Sequence, residues 1–118
     1  MSDASISRRS RTFDITLSTS TALATTLDLK DMAAAVVEFG TMSTSATTLR
    51  MFGSDTQSGT YFRLYKADGT AADLTLAPST TEGRIYSLPD EVFALPFLKI
   101  VSATTVTTGV SGVVCLKS

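Results

Sequence analysis

Apolar and polar residues alternate with a period of two along most of this chain, the spacing that sends successive side chains to opposite faces of a β-strand. The pattern starts at Thr12, where Phe13, Ile15 and Leu17 alternate with Thr12, Asp14 and Thr16. Residues 24–29 put Leu27 and Leu29 on one side. In residues 46–52, Thr48, Arg50 and Phe52 alternate with Thr47, Leu49 and Met51. In residues 60–66, Tyr61, Arg63 and Tyr65 alternate with Phe62, Leu64 and Lys66. Residues 71–77 turn Leu74 and Leu76 inward and stop at Pro78, which has no N–H to continue a ladder. Shorter β signals occupy residues 84–88, 97–102 and 112–116. The breaks are polar: Ser18-Thr19-Ser20-Thr21, Lys30-Asp31, the run from Gly53 to Gly59, and Ala67-Asp68-Gly69-Thr70. The last predicts a tight hairpin, because Asp-Gly supplies the positive φ such turns need.

Two segments need a decision. In residues 32–39, Asp31 is a possible helix cap and Met-Ala-Ala-Ala favours a helix, but Val36, Val37 and Phe39 prefer a strand and Gly40 ends the run early. Strand neighbours on both sides decide for a strand. Pro89-Asp90-Glu91-Val92-Phe93 predicts one helical turn, with Pro at its start and carboxylates at the positive end of its dipole. Short strands at regular spacing with turn signals between them predict an all-β fold: a single antiparallel β-sandwich, jelly-roll-like, of about eight short strands.

Composition narrows this further. The chain has 118 residues, room for one domain with a modest core. The hydrophobic fraction of 43% and a positive mean hydropathy argue against general disorder. Residues 1–11 are polar and hold Arg8, Arg9 and Arg11, which predicts a flexible basic N-terminal arm ahead of a sandwich domain over 12–118. Net charge is −1 and only 18% of residues are charged. No global field draws the chain to nucleic acid, and weak repulsion between copies favours self-association. No apolar run is long enough for a membrane span and the opening residues lack a signal-peptide core, so synthesis in a cytoplasm is expected.

Candidate chemistry is sparse. The chain has no His, so a nucleophile–imidazole pair cannot be built, and Ser and Thr serve as strand and turn residues. The 11 acidic residues are scattered over turns and strand edges, without an apolar setting for a glycosidase pair. Cys115 is alone within Val113-Val114-Cys115-Leu116, and is expected to be a buried, inert core thiol. Calcium is the one metal to weigh: Asp68, Thr70 and Asp73 are spaced hard ligands and Asp55 lies in another turn, but turn geometry explains these residues without an ion. No catalytic, cofactor or metal site is therefore expected. Tyr61, Tyr65 and Tyr86 form a sugar-stacking platform if they share an exposed face, although Trp and Asn are both missing. That keeps a carbohydrate- or receptor-recognition module open as the alternative function.

With these residues in view, the chain resembles small tailed-bacteriophage virion proteins of the capsid decoration or cement type. The resemblance runs over residues 15–117. It rests on Leu27-Asp28-Leu29, Val36-Val37-Glu38-Phe39, the block from Ser45 to Ser54, Tyr61-Phe62-Arg63-Leu64-Tyr65 with Asp68-Gly69, and Phe97-Leu98-Lys99-Ile100-Val101-Ser102. It departs at Ser43-Thr44-Ser45, where family members often carry a Trp. The resemblance implies a non-enzymatic protein on the capsid surface, assembled as a homotrimer and bound to the major capsid protein, with no cofactor, nucleic acid, membrane or small-molecule substrate. Arg8, Arg9 and Arg11 are the expected anchor in the arm, and Tyr86, Phe93 and Phe97 the expected interface anchors.

Overall fold

The structure, a computed structural model, describes residues 9–42, 48–104 and 110–118. Among the described residues nine strands follow one another: β1 (Ser10–Thr16), β2 (Thr26–Asp28), β3 (Ala34–Phe39), β4 (Thr48–Ser54), β5 (Phe62–Arg63), β6 (Leu74–Thr75), β7 (Arg84–Ser87), β8 (Phe97–Ser102) and β9 (Ser111–Lys117). The helices among the described residues are two short 3-10 turns, Thr21–Leu23 and Asp90–Ala94. None is long and apolar enough to cross a membrane.

The pairing is concentric. β1 pairs with β9, β2 with β8, β3 with β7, and β4 with both β5 and β6, all antiparallel. The chain is thus one long antiparallel ribbon folded back at residues 55–73. Wrapping that ribbon adds the pairs β3–β9 and β4–β8. Two sheets result, in the orders β1-β9-β3-β7 and β2-β8-β4-β5, with β6 on β4. This is the strand order of a jelly roll, as the turn spacing predicts.

Alternation decides what lies between the sheets. The four-stranded sheet contributes Ile15, Ala35, Val37, Phe39, Val114 and Leu116, and the five-stranded sheet Leu27, Leu49, Met51, Leu98 and Ile100, all buried in one cluster. Buried hydroxyls end two neighbouring strands by the same device. Ser54 Oγ donates to Thr56 O at 2.7 Å at the end of β4, and Ser102 Oγ donates to Thr104 O at 2.8 Å at the end of β8. Each satisfies its hydroxyl while turning the chain away from the sheet.

Most predicted elements lie where the pattern puts them, including the strand ending at Phe39 and the helical turn after Pro89. The Lys30-Asp31 break holds Asp31 at φ 66°, a left-handed conformation that Asp tolerates better than most residues. The Asp68-Gly69 hairpin closes through Lys66 N to Thr70 O at 2.7 Å, with Gly69 at φ 88°. Thr70 Oγ1 and N–H both donate to Asp68 Oδ1, which holds that carboxyl below its ordinary pKa.

Three expectations are corrected. The arm does not extend to residue 11: β1 starts at Ser10, Ser118 N donates to Arg9 O at 3.0 Å, and Arg9 N donates to Ser118 Oγ at 2.8 Å. Polar residues 10 and 11 join the sheet because β9 offers them a backbone partner as far as Lys117. The long strands expected at 60–66 and 71–77 shrink to β5 and β6, because both lie along the same edge of β4 and the hairpin tip extends beyond it. Cys115 is half-buried and faces outward, since in β9 the inward positions are Gly112, Val114 and Leu116.

Candidate functional site

The residues expected at an interface are dispersed over the molecule. Arg8 lies outside the described residues. Arg9 pairs with Asp31 at 3.4 Å on the surface, and Arg11 reaches Asp28 Oδ1 at 3.4 Å and the Asp28 carbonyl at 3.2 Å. Two of the three arginines therefore fasten β1 to the Asp28–Asp31 corner. Tyr86 and Phe93 each pack one face against the core cluster. Phe97 is half-buried on the outer face of the five-stranded sheet, with Lys30 Nζ 5.3 Å from its ring centre.

The three tyrosines do not share one face. Tyr86 stands on β7 of the other sheet, where its hydroxyl donates to Ala77 O at 3.0 Å and accepts from Ala77 N at 3.2 Å. Those bonds tie the segment before β7 to the sheet. Tyr86→Phe removes both and is expected to cost about 1 kcal/mol of unfolding free energy, read by urea denaturation with an unchanged slope. Tyr61 and Tyr65 lie on the outer face of the five-stranded sheet, each with a cation over its ring. Lys99 Nζ is 4.6 Å from Tyr61, and the Arg63 guanidinium carbon is 5.7 Å from Tyr65. Of the residues weighed for calcium, Asp68 holds Thr70 and Asp73 Oδ2 accepts from Arg63 at 2.6 Å across the hairpin, while Asp73 Oδ1 is buried without a hydrogen-bond partner. Among the described residues, no three acidic or thiol groups converge as metal ligands.

One surface stands apart, the outer face of the four-stranded sheet. Its outward residues form rows across the strands, fixed by register. Thr12, Cys115, Val36 and Ser87 make the central row, and Asp14, Val113, Glu38 and Ile85 the next one. On the other side of the central row stand Ser10, Lys117 and Ala34. Val36, Val113 and Cys115 are half-buried, and Ile85 is 63% exposed. A sheet face turned to water ordinarily alternates to polar residues. Here its middle is aliphatic.

Charges of opposite sign stand on either side of the central row. Asp14 and Glu38 flank Val113, two strand spacings or about 10 Å apart. They border a hollow of about 380 Å³ that also takes in Thr16, Gly40 and Ser111. Lys117 borders a second hollow, of about 290 Å³, floored by Ala34, Val36 and Cys115. None of Asp14, Glu38 and Lys117 ion-pairs with another described residue. Sequence reasoning missed this site because each strand presents its two faces in the same letters. The available signal was the unbroken apolar run in residues 113–116, which exceeds what a one-sided strand needs.

Searches of protein-family models, of curated proteins and of solved structures find no match to this chain.

Proposed function

We propose that this chain is a structural subunit of a virus particle, of the tailed-phage capsid decoration type, that works through protein–protein contacts with the major capsid protein and needs no catalysis. The observation that carries the reading is the aliphatic outer face of the four-stranded sheet. Val36, Val113, Cys115 and Ile85 stand on a sheet whose strands β1 and β9 are joined just beyond the Ser10–Lys117 pair by Arg9 and Ser118. Apolar side chains grouped on an outer sheet face mark surfaces that other proteins cover. The likeness of residues 15–117 to decoration proteins supplies the kind of particle, and the polar stretch before Arg9 supplies a tether.

The test is made on particles from cells expressing the chain. Peptide counting by mass spectrometry is expected to find it at a copy number in fixed proportion to the shell protein, and a density map is expected to place a jelly roll on the shell. Particles free of the chain would overturn the reading. Deleting residues 1–8 spares β1 and is expected to lower occupancy several-fold without shifting the melting temperature of the free protein. Unchanged occupancy would remove the arm from the mechanism.

A further inference from the structure

We infer that the outer face of the four-stranded sheet binds a second copy of this chain about a two-fold axis that runs across the strands at the Cys115 row. The face is complementary to itself. Along β9, Lys117 stands two residues to one side of Cys115, and Val113, flanked by Asp14 and Glu38, stands two residues to the other. Packing two such faces with their strands antiparallel, centred on Cys115, sets each Lys117 over the partner's Val113. There it lies between the partner's Asp14 and the partner's Glu38. Both ends of the interface then gain opposite charges at once, because a two-fold uses the same patch on both subunits. The centre brings Val36 against the partner's Val36 and Cys115 against the partner's Cys115. Isolated like charges at either end disfavour the alternative two-fold along the strands, which would stack Lys117 on its own copy.

The same charges explain why an aliphatic sheet face is tolerable in a free subunit. Asp14, Glu38 and Lys117 keep water at its two ends, while carrying no ion pair of their own among the described residues. Four strands span roughly 14 Å and seven residues roughly 24 Å, a small interface by the standard of stable complexes. Association in the micromolar range or weaker follows, with exchange between monomer and dimer. The inference draws on the same face that carries the virion reading, with a second copy of the chain as its occupant in place of the shell protein. It also differs from the three-fold assembly implied by resemblance, which needs two different patches rather than one.

The experiment uses the full chain alone. Sedimentation equilibrium from about 10 μM to about 1 mM is expected to show a reversible monomer–dimer mass. Lys117→Glu leaves acid at both ends of the face, and the double variant Asp14→Lys/Glu38→Lys leaves base at both ends. Each is expected to weaken self-association about tenfold or more, because like charges then meet. Mixing the two variants is expected to restore association as a heterodimer, since every end again meets its opposite. A short bismaleimide, adding one thiol to each of its alkenes, is expected to join two wild-type chains through Cys115 and to join none in Cys115→Ser. Faces about 10 Å apart bring the two thiols within its span. Melting curves of each variant, matched to wild type, separate lost association from lost folding.

The inference is overturned by a monomer across the whole range, a trimer mass, a dimer indifferent to Lys117→Glu, or variants that fail to associate when mixed. A monomer whose Cys115 gains reactivity only on deletion of residues 1–8 also overturns it and assigns the face to the chain's own arm.

Discussion

Phe39→Ala is expected to destabilise the fold by about 3–5 kcal/mol, among the largest effects of any single substitution here. Phe39 is 1% exposed, and its ring lies over Gly112 on the neighbouring strand. A Cβ built on Gly112 would come within 2.5 Å of Phe39 Cε1 and 2.9 Å of the Glu38 carbonyl oxygen. The glycine therefore makes the space and the ring fills it. Gly112→Ala alone is expected to cost about 1–3 kcal/mol through overpacking. In the Phe39→Ala background the clash with the ring is gone and only the close approach to the Glu38 carbonyl remains, so the two changes are expected to be less than additive. A double-mutant cycle by chemical denaturation measures this, with a coupling energy of about 1 kcal/mol or more expected between residues in contact. Strict additivity would show that the ring and the glycine are not matched to each other. Gly40→Ala is the control, since a Cβ there meets nothing within 4 Å.

The second large effect is expected at Leu98. It is fully buried in β8, between Leu27 of β2 and Gly53 of β4. Gly53 has no side chain to offer, and the space above it is taken by Leu95 and Leu64, which reach 2.6 and 3.3 Å from where its Cβ would stand. The wall beside Leu98 is thus built from three different segments, which limits how far it collapses when Leu98 is shortened. Leu98→Ala is expected to cost about 3–5 kcal/mol, the upper part of the range for such truncations. Measured against a typical domain stability of about 5–15 kcal/mol, this leaves a marginal fold. The check is the urea midpoint, with the slope unchanged. A loss near 1 kcal/mol would mean that Leu95 and Leu64 settle into the vacated volume.

The same residues show what a linear reading resolves. β8 was legible to the residue because Phe97-Leu98-Lys99-Ile100-Val101-Ser102 is apolar on its inner face and bounded by Pro96. The Asp68-Gly69 turn was legible because only a few residue types adopt the φ it needs. By contrast, Phe62 shares its alternation with Leu64 and is nonetheless 71% exposed, because Leu95 and Leu64 already occupy the space over its partner Gly53. Alternation gives the face of a strand. It does not say whether another layer reaches that far along it.

The candidate site illustrates the limit more sharply. Asp14, Glu38 and Lys117 are far apart in the chain and belong to three strands, each with an ordinary pattern. Their relation arises only from β9 standing between β1 and β3, with Val113 opposite both Asp14 and Glu38. Cys115 looked like core for the same reason: β9 is apolar on both faces, and periodicity cannot say which of them meets the second sheet. The arginines at 9 and 11 read as a free cluster because their acceptors, Asp31 and Asp28, lie across a corner formed only on folding.

What the amino-acid order determined by itself was local: strands, turns and the two-sheet class, since period-2 alternation and turn chemistry act over a few neighbouring residues. What the tertiary structure decided was register and adjacency. Concentric pairing brings residues a hundred positions apart side by side, and the aliphatic face with opposite charges at its ends exists only in that arrangement.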